Sequence, residues 1–195
     1  MTDDHAPTTS PRIGCYPGSF DPPTVAHLAV AEAALAVGRL GRVDLVVSQV
    51  ALGKGPGPLS TLADRLAVLE AMAATRPWLG VVVTERTLVA DLAEGYDLVV
   101  MGADKWRQIN ELQWYGGSAV ARDAAIARLP RVLVVPRGED RPTGVEVLEI
   151  DDAHRGVNAS AVRDGDPAAA AWMVPEAATH DARTGAWTRA NPPAD

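Results

Sequence analysis

The chain has 195 residues, of which 47% are hydrophobic, and its formal net charge is −7 at pH 7. This length and apolar content suit a single compact domain with its own core, while the negative charge argues against nucleic acid or an anionic membrane as a partner. The single cysteine, Cys15, excludes an internal disulfide. No apolar run reaches the roughly 20 residues that span a bilayer, and the first residues lack a secretory pattern, so we expect a cytoplasmic protein.

The first predicted strand, at residues 12–16, leads into a turn and then a helix. Gly18 permits a positive φ or a close approach of a ligand to the backbone, and the two prolines after it prevent the helix from starting early. From Thr24 onward apolar residues recur at helical spacing, and Gly38 marks the stop. Thr24 and His27 therefore lie in the first turn, where free backbone N–H groups stabilise an anion and His27 can donate to a phosphoryl oxygen.

Short apolar runs then alternate with amphipathic segments along the chain. Four more strands are predicted, at residues 43–47, 79–84, 98–101 and 131–135. Their continuous apolar content is typical of strands covered on both faces, and Ser60 or Thr61 can cap the helix between the first two of them. This alternation predicts an α/β fold, a Rossmann-like doubly wound parallel sheet of about five strands with helices on both faces and a short C-terminal helical extension.

We expect one domain over residues 12–190, with a disordered N-terminal tail at 1–11 and a flexible C-terminal end at 191–195. Ligands of such sheets bind beyond the carboxyl ends of the strands. The segments that follow strands and can meet at this edge are 16–19, 48–54 and 101–104.

A second cluster with phosphate-binding chemistry lies at residues 156–163, Gly-Val-Asn-Ala-Ser-Ala-Val-Arg. Small polar residues followed three positions later by an arginine predict a helix start that offers an amide, a hydroxyl and a guanidinium to a polyphosphate. The side chains concerned are those of Asn158, Ser160 and Arg163.

Residues 16–27, Tyr-Pro-Gly-Ser-Phe-Asp-Pro-Pro-Thr-Val-Ala-His, resemble the signature of the nucleotidyltransferase superfamily. In that signature Gly-(Ser/Thr)-Phe-Asp-Pro leads into a His-x-Gly-His or Thr-x-Gly-His tetrad. Here the tetrad begins with Thr24, as in phosphopantetheine adenylyltransferases, has Ala26 in place of glycine, and ends with His27. The resemblance implies catalytic roles for Thr24 and His27, and nucleotide contacts from Gly18, Ser19, Phe20 and His27.

Two further segments are similar to the same superfamily. Residues 157–163 resemble its Ile-Ser-Ser-Thr-x-x-Arg motif, which implies nucleotide contacts from Asn158, Ser160 and Arg163. Residues 102–104, Gly-Ala-Asp, resemble the segment of nicotinate-mononucleotide adenylyltransferases that meets the ATP ribose. The implied nucleotide contacts there are Gly102, which allows close approach, and Asp104, which accepts from a hydroxyl.

The resemblance also implies residues for the acceptor. Lys54 lies in a loop rich in glycine and proline and corresponds to the lysine that meets phosphates. Trp106 or Trp114 corresponds to the family's tryptophan that stacks on the pyridine ring, and the spacing does not decide between them.

The implied function is transfer of AMP from ATP to a small phosphorylated acceptor with release of pyrophosphate. Nicotinate mononucleotide is the leading acceptor, because the overall pattern is closest to nicotinate-mononucleotide adenylyltransferase. The alternatives are CTP as donor, phosphopantetheine or another acceptor, and a non-catalytic nucleotide-binding descendant. Mg²⁺ is expected to arrive with ATP, since no carboxylate cage is visible and no residue is predicted as a metal ligand. The oligomeric state stays open, a homo-oligomer included.

Overall fold

The structure is a computed structural model, and it describes residues 10–49, 60–138 and 140–188. Six parallel strands form one sheet in the order β3-β2-β1-β4-β5-β6. The strands are β1 (Ile13–Pro17), β2 (Arg42–Ser48), β3 (Leu79–Thr84), β4 (Leu98–Gly102), β5 (Arg131–Val135) and β6 (Glu146–Val147). Strand order reverses between β1 and β4, which is where ligands bind in sheets of this topology.

Helices cover both faces of the sheet, and three of them, α6 to α8 as numbered below, follow the last strand. They are α1 (Val25–Gly38), α2 (Leu62–Ala74), α3 (Val89–Leu92), α4 (Ala103–Ile109), α5 (Ala119–Ala127), α6 (Asp152–Arg155), α7 (Ala159–Arg163) and α8 (Pro175–Thr184). Two 3₁₀ helices lie at Leu112–Tyr115 and Ala169–Trp172. The predicted Rossmann-like fold and its C-terminal helical extension are confirmed.

The differences from the predicted elements are small and local. The sixth strand, β6, has only two residues, so it is too short to produce the apolar run by which the other five are recognised. Gly38 is the last residue of α1 instead of lying past its end, and Arg39 takes the left-handed conformation at φ 49°. Of the two candidate caps for α2, Thr61 accepts the hydrogen bond from the backbone N–H of Asp64.

The sheet is packed on both faces because alternate side chains of each strand point to opposite sides. One face carries a large cluster that includes Leu45 and Leu98 and receives α1, α2 and the chain end at Trp187. The other carries a smaller cluster built around Val99 and Cys15. Within the described part of the chain, no helix is long and apolar enough to cross a membrane.

Candidate active site

A cavity of about 590 Å³ lies at the carboxyl ends of the central strands. Its wall contains residues at or just beyond the carboxyl ends of β1, β2, β4 and β5, together with the first turn of α1 and the first turn of α7. The fold thus brings the two sequence clusters, residues 16–27 and 156–163, to one site. Nine of the predicted site residues line this cavity: Gly18, Ser19, Thr24, His27, Gly102, Asp104, Asn158, Ser160 and Arg163.

The first turn of α1 holds His27 through a reciprocal capping box with Thr24. The His27 backbone N–H donates to Thr24 Oγ1 at 3.4 Å, and the Thr24 backbone N–H donates to His27 Nδ1 at 3.0 Å. Because Nδ1 accepts this hydrogen bond, the proton of the neutral ring lies on Nε2. The imidazole is therefore fixed in orientation and presents Nε2 as a hydrogen-bond donor. A histidine here takes the position that glutamate usually has in a capping box.

Gly18 lines the cavity and lies directly beside the Phe20 ring. Gly18 does not adopt a positive φ; that conformation belongs to Phe20, at 46°. The Phe20 ring is 1% exposed and does not line the cavity, and its edge-to-face contacts are with Tyr16 and His27, at centroid distances of 5.4 and 5.2 Å. A Cβ on Gly18 would come within 2.7 Å of this ring. Gly18 therefore leaves room for the Phe20 ring, which packs against the His27 ring and is not among the residues that line the cavity.

Asp21 is a buried hydrogen-bond centre directly behind the cavity wall. Its side chain is 2% exposed, and Oδ1 accepts from Trp187 Nε1 at 2.7 Å and from the Ser60 hydroxyl. Arg163 donates to the Asp21 backbone carbonyl and lies 3.9 Å from Oδ2. The sequence analysis missed the contacts of Ser60 and Trp187 with Asp21, because these residues lie 39 and 166 positions from it.

The second motif is ordered by its own side chains. Asn158 caps α7 by accepting from the backbone N–H of Ala161 at 2.8 Å. Ser160 Oγ accepts from Arg163 at 3.2 Å. The guanidinium is thus held between the two motifs, at the floor of the cavity.

The segment after β4 places Gly102 and Asp104 at the cavity rim. A Cβ on Gly102 would meet nothing within 4 Å, so space for a ligand remains beside the backbone. Asp104 pairs with Arg137 and, at 3.4 Å, with Arg107. Its carboxylate is therefore already engaged by two guanidinium groups.

Basic side chains dominate the cavity, although the chain as a whole is acidic. Among the described residues of the wall there is one acid, Asp104, and there are five arginine or lysine side chains: Arg65, Lys105, Arg137, Arg155 and Arg163. Such a concentration focuses a positive potential on the cavity and favours a polyanionic ligand. Only Arg163 was predicted. Arg65 lies in the first turn of α2, where its Nη1 donates to the Ser19 carbonyl at 3.0 Å. Nothing in its sequence context separates it from a surface arginine.

The predicted acceptor residues divide into three cases. Lys54 lies outside the described residues. Trp106 packs against the smaller core cluster and does not line the cavity. Trp114 lines a second cavity of about 20 Å³, here called the annex, and its Nε1 donates to Glu111 at 3.2 Å. The annex and the main cavity share four residues, so they adjoin: Thr87, Val89, Lys105 and Gln108.

The described residues contain no group of three or more His, Cys, Asp or Glu side chains that could hold a metal ion. Asp104, the acid that the described part of the chain contributes to the cavity wall, is paired with arginines. This donor set suits a divalent cation that is carried in by phosphate oxygens and water rather than one bound by a protein cage.

Comparison with known proteins identifies a family and several sequence relatives. The sequence model of the cytidylyltransferase-like family matches residues 15–163. Phosphopantetheine adenylyltransferases from Dinoroseobacter shibae and Caulobacter sp. are 45% identical over 60 residues and 48% identical over 59. These matches cover 31% and 30% of this chain, and they span about a third of the length of the relatives, at 32% and 33%.

Solved structures resemble the whole fold. Plasmodium falciparum nicotinic acid mononucleotide adenylyltransferase complexed with NaAD superposes with a TM-score of 0.66 at 12% identity, covering 89% of this chain and 96% of the other. The same protein complexed with APC gives a TM-score of 0.67, also at 12% identity, over 90% and 96%. At this identity the likeness establishes the fold.

Proposed function

The chain belongs to the cytidylyltransferase-like family, and we propose from this premise that it transfers AMP from ATP to the phosphate of a small acceptor and releases pyrophosphate. The observation that carries the proposal is the meeting of His27 and Arg163 in one cation-rich cavity at the switch point of the sheet. A polyphosphate fits this chemistry better than any neutral ligand, since five basic side chains line the wall.

The reaction requires no protein nucleophile. An oxygen of the acceptor phosphate attacks the α-phosphorus of ATP in line, and a new P–O bond forms as the bond to the bridging oxygen breaks. The electron pair of that bond leaves with pyrophosphate. Catalysis then depends on positioning and on charge stabilisation. His27 Nε2 donates to an α-phosphoryl oxygen, and the first turn of α1 adds its backbone N–H groups.

The second motif would bind the pyrophosphate leaving group. Arg163 and Ser160 would hold the β- and γ-phosphates, because they lie in the same wall as His27 and are fixed by their hydrogen bond to each other. ATP is the substrate as its magnesium complex, and the ion neutralises the triphosphate charge through phosphate oxygens and water. Gly102 and Asp104 would meet the ribose at the rim.

For the acceptor, nicotinate mononucleotide is the leading proposal. The fold covers nearly the whole of a nicotinic acid mononucleotide adenylyltransferase, and Trp114 places an indole beside the cavity where a pyridine ring could stack. Phosphopantetheine is the second candidate. Its support is the name of the sequence relatives and Thr24, because the tetrad of the phosphopantetheine branch also begins with threonine.

A pyrophosphate-release assay tests the proposal. Purified protein is incubated with magnesium-ATP or magnesium-CTP and a panel of phosphorylated acceptors, among them nicotinate mononucleotide and 4′-phosphopantetheine. We expect pyrophosphate release with ATP. The His27→Ala substitution should abolish this activity, since loss of one hydrogen-bond donor to the transition state lowers kcat by at least about 10²–10³-fold. His180→Ala, the same substitution on α8 outside the cavity, should retain activity. Full activity in His27→Ala would refute the mechanism, and ATP binding without turnover of any acceptor would favour the non-catalytic alternative.

A further inference from the structure

Arg163 differs from two other arginines of the cavity wall in the groups that hold it. Arg137 and Arg155 each donate to a carboxylate, which offsets much of their charge. Arg163 instead donates to the Ser160 hydroxyl at 3.2 Å and to the backbone carbonyl of Asp21. Because these acceptors are neutral, the guanidinium is oriented without a hydrogen bond to a carboxylate and keeps its charge for an anionic ligand.

A carboxylate nevertheless lies close enough to Arg163 to compete with a ligand. Oδ2 of Asp21 is 3.9 Å from Arg163 Nη1, which is beyond hydrogen-bond distance but could be closed by a small movement. Both groups are shielded from water, the carboxylate almost completely, so their attraction is only weakly screened. Without other donors the carboxylate would form a direct charge-assisted hydrogen bond to the guanidinium. Arg163 would then be partly neutralised behind the cavity wall.

Two neutral donors satisfy the Asp21 carboxylate in place of Arg163. Oδ1 accepts from Trp187 Nε1 at 2.7 Å and from the Ser60 hydroxyl. Both residues are buried, and neither lines the cavity. Their hydrogen bonds offset the cost of burying the charge, so Arg163 is not needed as a donor to this carboxylate.

The indole is itself held in place by the chain that follows α8. Gly185 ends this helix at φ 63°, and its backbone N–H donates to the Asp181 carbonyl at 2.7 Å. The buried side chain of Asp181 then accepts from the backbone N–H of Trp187 at 2.7 Å and of Thr188 at 3.2 Å. Trp187 also belongs to the larger core cluster. Its N–H therefore has a fixed position, as a residue that orients another group requires.

We propose that Trp187 is a positioning residue of the nucleotide site. With Ser60 it holds the Asp21 carboxylate back from a direct hydrogen bond to Arg163, and this guanidinium thereby stays available to the β- and γ-phosphates of ATP. The inference rests on the proposed function, which assigns those phosphates to Arg163, and deepens it by naming residues outside the cavity on which their binding depends. Loss of the indole N–H should therefore weaken the binding of these two phosphates selectively.

The test compares two ligands that differ only in these phosphates, ATP and AMP. Their dissociation constants are measured by calorimetry in the presence of magnesium for the wild-type protein, Trp187→Phe, Ser60→Ala and the control Trp172→Phe. Trp172 packs against the same core cluster as Trp187 and does not line the cavity. Melting temperatures are recorded for every variant, and binding is measured at a temperature at which all of them are folded.

Trp187→Phe should weaken ATP binding by about 10-fold, the lower limit for a hydrogen bond between charged groups, and leave AMP binding nearly unchanged. Ser60→Ala removes the other donor to Asp21 and should act in the same direction, so it tests the proposal even if Trp187→Phe does not fold. Trp172→Phe should leave the ratio of the two affinities at the wild-type value. Equal weakening of ATP and AMP binding in Trp187→Phe would overturn the inference, since it would indicate a general disturbance of the cavity.

A second substitution distinguishes capture of Arg163 from a packing defect. Asp21→Asn, added to Trp187→Phe, replaces the unsatisfied carboxylate with a neutral amide that cannot neutralise the guanidinium. The preference for ATP over AMP should return toward the wild-type value in this double variant. A preference that stays low would overturn the inference, because the Asp21 charge would then not be what withdraws Arg163.

Failure of the proposed function has a different signature. If the wild-type protein binds ATP no more tightly than AMP, the assignment of the β- and γ-phosphates falls and the inference falls with it. If the preference for ATP responds to Trp187 but no acceptor is turned over, the inference stands and the non-catalytic alternative is favoured. If an acceptor is adenylylated and the preference does not respond to Trp187, the proposed function survives alone.

Discussion

Substituting alanine for Gly18 should disturb the site through the Phe20 ring. The added Cβ would lie 2.7, 2.9 and 3.0 Å from three ring carbons, whereas carbon atoms in favourable contact are about 3.5–4.0 Å apart. The ring must therefore move by nearly 1 Å. It cannot swing into solvent, because Phe20 is 1% exposed and its ring edges contact Tyr16 and His27.

Overpacking of this kind costs roughly 1–3 kcal/mol of unfolding free energy. In a chain of this size that corresponds to a fall in melting temperature of about 2–12 °C. Activity should fall as well, since any displacement of Phe20 reaches the imidazole of His27 at a centroid distance of 5.2 Å. Gly102→Ala is the matched control for stability, because a Cβ there meets nothing within 4 Å.

A double-mutant cycle isolates the contact. Urea unfolding is measured for wild-type protein, Gly18→Ala, Phe20→Leu and the double variant. Phe20→Leu alone should cost about 1.5 kcal/mol or less, and because leucine lacks the far ring carbons, the double variant should be more stable than the sum of the two losses by about 1 kcal/mol. Strict additivity, or a Gly18→Ala protein as stable as the wild type, would refute the account of why glycine stands at position 18.

Two further predictions concern the C-terminal part of the chain. Trp187→Phe removes the indole donor to the buried Asp21 carboxylate and should lower the free energy of unfolding by about 1.5–3 kcal/mol in denaturant titrations. Hydrogen bonds from Thr61 and then His180 lower the pKa of Asp64 from 3.8 to about 2. Because the folded-state pKa is depressed, this stabilisation is present above pH 3.8 and is lost as the pH falls toward about 2. Asp64→Asn should therefore flatten the acid limb of the stability curve in that window.

Each of these variants has a matched control. Trp172→Phe removes the same volume from a tryptophan that is only partly buried against the same core cluster; an equal loss of stability in both variants would contradict a special role for the indole N–H of Trp187. Glu70→Gln removes an exposed acid from α2, the helix that carries Asp64. A Glu70→Gln protein with the same flattened acid limb would contradict the assignment to Asp64.

The fold could be predicted because its strands are buried on both faces. A continuous apolar run can be recognised in the sequence without knowing which strands will pair with it. Two strands, Leu79–Thr84 and Arg131–Val135, have the predicted bounds. The strand Glu146–Val147 carries no such signal, since it is short, lies at the sheet edge and is partly exposed. Its existence depends on pairing with β5, which only the folded chain provides.

The site was predictable to the extent that its residues lie together in sequence. Thr24 and His27 are three positions apart and form their capping box locally, so a motif contains all the information about them. Arg65 and Lys105 carry no local signal of a ligand role. Their place in the cavity wall follows from how α2 and α4 pack on the sheet. Trp187 likewise donates to Asp21 although the two residues are 166 positions apart in the sequence.

The hydrogen bonds of Asp21 connect the first sequence motif with residues that only the fold brings close to it. A carboxylate at 2% exposure would be costly without donors, and it obtains them from Ser60, Trp187 and Arg163. These contacts join the first motif to the second motif and to the segment around Trp187. Because the Asp21 carboxylate already accepts these hydrogen bonds, it is unsuited to act as a general base. The proposed chemistry does not need one, because the attacking oxygen of a phosphate is already anionic. In the proposed mechanism, the acid in the centre of the first motif therefore acts by positioning Arg163, whose guanidinium donates to the Asp21 backbone carbonyl.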